Sequence, residues 1–162
     1  MRTNSNQDII TSLQKIALHH SKSFCINCDI EVLGNRCPKC YSDDLARLLP
    51  GIGVDWNLDF VIEHIINENL SQIDIEKEFE ESIRSCYPEQ ISACWMELDA
   101  VDVAKSMDPI SWKLAQNEYI DFEESEGNII SFDNGNSYFW THDVEEFIES
   151  EESNLECSAG AE

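Results

Sequence analysis

Apolar residues recur at helical spacing in several separate stretches of the chain. Ile9, Leu13 and Ile16 fall on one face of a helix predicted over residues 8–20. Phe60 or Val61, with Ile62, Ile65 and Ile66, marks a helix over 58–70. After Ser71, Ile75, Phe79, Ile83 and Cys86 line one side of a further helix whose other side carries Glu76, Glu78, Glu80 and Glu81. Pro88 ends it, because proline has no N–H to donate and its ring clashes with the preceding turn. Two consecutive helices are expected over 99–107 and 108–119. The second is opened by Asp108 as N-cap and Pro109 at the first helical position, and Trp112, Ala115 and Tyr119 line its buried side. A short helix over 143–149 closes the series.

Other stretches follow a period of two or carry turn signals. Ile91, Ala93 and Trp95 alternate with Ser92, Cys94 and Met96, the pattern of a strand. Residues 129–132 and 137–140 flank Asp133-Asn134-Gly135-Asn136. This reads as a β-hairpin, since Asn-Gly tolerates the positive φ that tight turns need. Ser42 reads as the N-cap of a helix over 43–49, with Asp43 and Asp44 at the positive end of its dipole. Pro50-Gly51-Ile52-Gly53 then ends that helix and marks a module boundary. The resulting fold class is α+β. An N-terminal helix and a small cysteine module occupy residues 1–50. A helix-rich domain, with a small antiparallel sheet built on the hairpin at about 129–140, occupies 51–150. Residues 151–162, acidic and poor in apolar side chains, are expected to be disordered.

The most narrowly defined chemistry belongs to four cysteines in two C-x-x-C pairs, Cys25-Ile26-Asn27-Cys28 and Cys37-Pro38-Lys39-Cys40. Each pair makes a knuckle whose two sulfurs point at one centre, and the eight residues between the pairs suffice for a short hairpin. Residues 29–32 supply an extended strand for it and Leu33-Gly34-Asn35 its turn. Zn²⁺ takes four thiolates in a closed tetrahedron. Over residues 23–47 the sequence resembles a short zinc ribbon, which implies a structural Zn²⁺ held by Cys25, Cys28, Cys37 and Cys40 and a local fold, but no particular function. Iron in the same sulfur cage and a redox pair of disulfides are the competing readings. Among the other cysteines, Cys86 and Cys94 have apolar neighbours and read as small core hydrophobes, and Cys157 as an exposed thiol.

Charge changes the picture for the rest of the chain. Residues 1–50 hold six Lys/Arg and five Asp/Glu, whereas residues 51–162 hold four and 28. Such a field repels nucleic acid and anionic membranes and attracts basic partners. No stretch approaches the roughly 18 apolar residues of a membrane helix. The N-terminus lacks an apolar targeting segment, and the odd cysteine count argues against a disulfide scaffold, so a cytoplasmic location is expected.

No motif for catalysis emerges. His19, His20, His64 and His142 sit outside recognisable acid–base arrangements, and Gly51-Ile52-Gly53 lacks the remainder of a phosphate loop. Glu118, Asp121, Glu123, Glu124 and Glu126 read as a solvated acidic surface rather than a cation site. Trp56, Trp95, Trp112, Tyr138, Phe139 and Trp140 lack the Lys and Arg that line a nucleic-acid stacking groove, and read mainly as core. The chain is therefore expected not to be an enzyme.

Two function classes remain. In one, a non-catalytic acidic protein engages a basic protein or a nucleic-acid-binding complex, inhibiting it by DNA mimicry, through Glu76, Glu80 and Glu81 and through Glu145, Glu146 and Glu149. The acidic domain itself binds no DNA in this reading. In the other, the ribbon is the working end of an adaptor or transcription-type regulator, with Lys22, Arg36, Lys39 and Arg47 touching nucleic acid or a larger assembly.

Overall fold

The computed structural model describes residues 6–159. Helix α1 (Asn6–His20) leads into a four-stranded antiparallel sheet of β1 (Lys22–Cys25), β2 (Ile30–Val32), β3 (Ala46–Leu49) and β4 (Gly53–Asp55), in the order β2-β1-β3-β4. Then follow α2 (Asp59–Asn69), α3 (Ile75–Cys86), a hairpin of β5 (Gln90–Ala93) and β6 (Met96–Asp99), α4 (Ala100–Met107) and α5 (Pro109–Ser125). A second hairpin, β7 (Ile129–Ile130) with β8 (Phe139–Trp140), precedes the closing helix α6 (Thr141–Ala159). The α+β class holds, with an N-terminal helix followed by the cysteine module.

The main core is built from the predicted stripes. Ile9, Leu13, Ile16 and Ala17 of α1 meet Val61, Ile62, Ile65 and Ile66 of α2, and Val144 and Ile148 of α6, with Ile130 and Phe139 from the second hairpin and Leu49 from β3. Arg47 ties the sheet to α1. Its guanidinium donates to the carbonyls of Leu18 and Ser21 at 2.8 and 2.7 Å and to the Ser21 and Ser23 hydroxyls at 3.1 and 3.0 Å. A fork of five donors thus satisfies acceptors at the helix C-terminus that the helix itself leaves open.

Several expectations are corrected. Residues 43–49 are not a helix: Ala46, Arg47 and Leu48 pair with Phe24, Ser23 and Lys22, and this ladder overrides the local cap signal. The Ser42 hydroxyl instead accepts from the Asp44 N–H at 3.2 Å, a local turn that competes with helix. Pro50-Gly51 is the turn into β4, closed by the Ile52 N–H to the Leu49 carbonyl at 3.0 Å, with Gly51 at φ +80° as a type II turn demands. The extended stretch before Leu33 finds its partner on the other side, because β2 pairs back with β1 around the first knuckle.

The single strand expected around Trp95 is a tight hairpin. Ala93 pairs with Met96, so Cys94 and Trp95 form a two-residue turn with Cys94 at φ +57°. Cys94 is therefore exposed, and so is Cys86 at the end of α3; neither fills core space. The closing helix begins at Thr141 and runs through residues 151–159, which are helical rather than disordered, with Leu155 packed on the main core. Residues 160–162 of the expected tail lie outside the described residues.

Between Ser71 and Asn128 the chain makes its own smaller assembly. Only Phe79, Val101 and Gln116 are buried there. Phe79 of α3 stands edge-on to Trp112 of α5 at 4.8 Å between ring centres and lies 5.6 Å from Tyr119. Asp108 caps α5 as expected, accepting from the Ser111 N–H, and Asp99 likewise caps α4, accepting from the Val101 and Asp102 N–H groups.

Candidate metal centre

Strand β1 ends at Cys25, the β1–β2 connection carries Cys28, and the loop after β2 brings Cys37 and Cys40 back to the same point. Their four sulfur atoms all lie within 4.8 Å of one another. Cys25 Sγ and Cys40 Sγ are 3.6 Å apart. Four sulfurs bonded at 2.3 Å to one tetrahedral ion would stand about 3.8 Å apart, so the cage is already near ion-binding size. The separation is far beyond a disulfide bond of about 2.05 Å, and all seven cysteines are free.

Local backbone geometry explains how each knuckle turns. The residue after each second cysteine, Asp29 at φ +53° and Tyr41 at φ +60°, adopts the left-handed conformation. The second knuckle is further closed by Tyr41 N–H to the Cys37 carbonyl at 3.0 Å and Cys37 N–H to the Ser42 carbonyl at 2.9 Å. Beneath the sulfurs, Cys25 and Cys37 are buried with Val32, against Ile30 and Leu45. Cys40 lies at the surface.

The thiols are not equivalent. Backbone N–H groups of Cys40 and Lys39 point at Cys37 and pull its thiol down to about 6, which holds it as a thiolate near neutrality. The hydrogen bond to Cys40, with burial, pushes Cys28 up to about 12, and burial raises Cys25. A dication held in the cage would favour the thiolate form of all four cysteines, including Cys25 and Cys28, whose charged forms burial and crowding oppose without it. Four sulfur ligands fill a tetrahedron and leave no open coordination position for substrate. Among the described residues, no other set of three or more His, Cys, Asp or Glu comes close enough to share one ion.

The predicted acidic residues lie elsewhere. On α3, Glu76 and Glu80 both receive Lys105 of α4, at 2.5 and 2.6 Å, and Glu81 lies 3.8 Å from Lys77. On α6, Glu146 and Glu149 are exposed and Glu145 is half-buried. His20 meets Glu151 at 3.0 Å, His142 meets Asp143 at 3.0 Å, and His64 lines a cavity of about 200 Å³ together with His20 and Glu151. Of the basic set near the cysteines, Lys22 pairs with Glu31 at 2.8 Å and Arg36 with Asp43 at 4.0 Å, while Arg47 is turned inward onto α1.

Sequence reasoning missed two features. One is the left-handed pair Asp29 and Tyr41, which no glycine or asparagine announces. The other is the outer face of α5, where Ile110 and Leu114 are exposed. The signal for it was available, since these residues fall four apart and out of phase with Trp112 and Tyr119, giving the helix two apolar sides. No helix among the described residues is long and apolar enough to cross a membrane. Compared with protein-family models, curated proteins and solved structures, the chain matches none.

Proposed function

We propose that this is a non-catalytic binding protein in which a structural Zn²⁺ fastens the N-terminal sheet and the acidic remainder of the chain engages a basic protein partner. Zinc suits the cage because it favours four thiolates and a closed tetrahedron, and such an ion contributes folding energy rather than chemistry.

The observation that carries the binding role is where the cations go. After Pro50 there are four Lys/Arg against 28 Asp/Glu. All four cations are engaged within the chain: Lys77 with Glu81, Arg84 with Asp99, Lys105 with Glu76 and Glu80, and Lys113 with the Gln116 amide at 2.7 Å. The remaining carboxylates project an uncompensated negative field, which accelerates encounter with a basic surface and weakens as salt shortens its range to about 10 Å at 0.1 M. Inhibition by DNA mimicry is the sharper form of this reading. It rests on the carboxylates of α6, since Glu76 and Glu80 already share an internal cation.

The ribbon-adaptor reading finds less support, because Lys22 and Arg36 each face a carboxylate and Arg47 is turned onto α1, which leaves Lys39 as the one cation of that set outside these pairings. A calorimetric titration against a basic DNA-binding protein at 0.15 M salt, with and without duplex DNA, tests the proposal. Binding that DNA competes away supports mimicry; binding that DNA leaves intact supports a plain acidic binder. Direct binding of the zinc-loaded protein to DNA that survives this salt would overturn both and favour the ribbon.

A further inference from the structure

We infer that the outer face of α5 is a docking site for a cationic amphipathic helix of a partner protein. The inference rests on the acidic-binder reading and adds to it a place and a partner shape. Helix α5 is 17 residues long, yet Gln116 is its one buried residue. Its inner side, Trp112 and Tyr119, is held by Phe79. On its outer side Ile110 is 74% exposed and Leu114 59%, and Met107, three residues ahead at the end of α4, is 79% exposed. Ile110 and Leu114 stand one turn apart on the same side of α5, and an isolated chain gains nothing from keeping both in water.

The same outer face changes character along its length. At about 100° per residue, Asn117, Glu118 and Asp121 continue the line begun by Ile110 and Leu114, and all three are exposed. The face is thus apolar toward its N-terminal end and carries its carboxylates toward its C-terminal end, where Phe122, 57% exposed, follows Glu118 by one turn. A helix laid along it meets Ile110 and Leu114 with apolar residues spaced three or four apart, and Glu118 and Asp121 with Lys or Arg.

Charge complementarity selects this occupant over a second copy. Two α5 helices packed antiparallel over their whole length would press Glu118 and Asp121 of one onto Ile110 and Leu114 of the other, burying carboxylates without partners. Packed parallel, they would set acid against acid between chains of net charge −23. Anionic lipid is disfavoured by the same charge.

The test uses the full zinc-loaded protein and two synthetic peptides of identical Leu/Lys composition. One is patterned as an amphipathic helix and the other is scrambled so that no apolar face forms. At 0.15 M salt the patterned peptide should bind at least tenfold more tightly. The double substitution Ile110→Ser and Leu114→Ser should abolish that preference while keeping the far-ultraviolet dichroism, since both side chains are exposed. Reversing Glu118 and Asp121 to Lys should weaken the patterned peptide at least tenfold, whereas reversing Glu145, Glu146 and Glu149 should change it less than threefold. Equal affinity for both peptides would overturn this site yet leave a purely electrostatic binder standing. Binding of neither peptide would overturn both readings. A dimer that dissociates on the Ile110→Ser and Leu114→Ser changes would show the face to serve self-association, and would overturn the inference.

Discussion

Arg84, in the last turn of α3, grips Asp99 through two hydrogen bonds of 2.7 and 3.2 Å, while one oxygen of the same carboxylate caps α4 by accepting from Val101 and Asp102 at 3.0 Å each. One side chain therefore fixes the end of one helix, the end of the β5–β6 hairpin and the start of the next helix.

The Arg84 guanidinium and the cap N–H groups hold the Asp99 carboxyl below the usual aspartate range, and the Ser111 N–H and hydroxyl do the same for Asp108. A carboxyl depressed by folding contributes stability that is fully present above its unfolded value, near 3.8, and is lost as pH falls through the folded one. Repulsion among the remaining carboxylates works in the opposite sense at higher pH, because the net charge is −23. Thermal unfolding should therefore show the midpoint rising from pH 7 to about 5 and falling below about 4. In Asp99→Asn the fall below pH 4 should be shallower and the midpoint at pH 7 lower.

Phe79 is the aromatic centre of the assembly between Ser71 and Asn128, and Phe79→Ala should cost about 3–5 kcal/mol of that assembly's stability. Hydrogen exchange is the appropriate measurement. Amides of α3, α4 and α5 should lose protection while those of α1 and α2, whose core lies elsewhere, retain it. Uniform loss across both regions would show one cooperative unit instead.

Tyr41 holds a left-handed backbone, at φ +60°, with its ring exposed. An L-residue in this conformation costs roughly 1–2 kcal/mol, and glycine avoids that at an entropic cost of about 0.5–1 kcal/mol. Tyr41→Gly should be neutral or stabilising by up to about 1 kcal/mol, whereas Tyr41→Val should destabilise by about 1–2 kcal/mol, because a β-branched residue fits this region worst. Urea unfolding of the zinc-loaded forms measures both.

These positions also show what was legible in the sequence. The stripes Ile9/Leu13/Ile16 and Ile62/Ile65/Ile66 declared α1 and α2, because a helix buries one face regardless of its distant partners. Asp108-Pro109 announced α5 for an equally local reason. Strand β3 was not legible: Ala46 to Leu49 is too short to carry a period, and Ser42-Asp43-Asp44 offers a cap that only pairing with β1 overrules. The turn at Cys94-Trp95 contains no glycine or asparagine to signal its positive φ. In α6 the Glu-rich second half hid Leu155, whose packing on the main core depends on tertiary contact. Of the candidate site, the cysteine spacing was fully legible, while the knuckle conformations and the inward turn of Arg47 depended on the assembled sheet.

The metal centre is the claim on which the N-terminal architecture depends, and X-ray absorption on the full protein, combined with native mass spectrometry, addresses it directly. The expected result is one zinc per chain with four sulfur neighbours at about 2.3 Å, falling to none in Cys37→Ser together with loss of the β1–β3 pairing. Iron in the cage, nitrogen or oxygen among the nearest neighbours, or a metal-free Cys37→Ser protein with unchanged stability would contradict it.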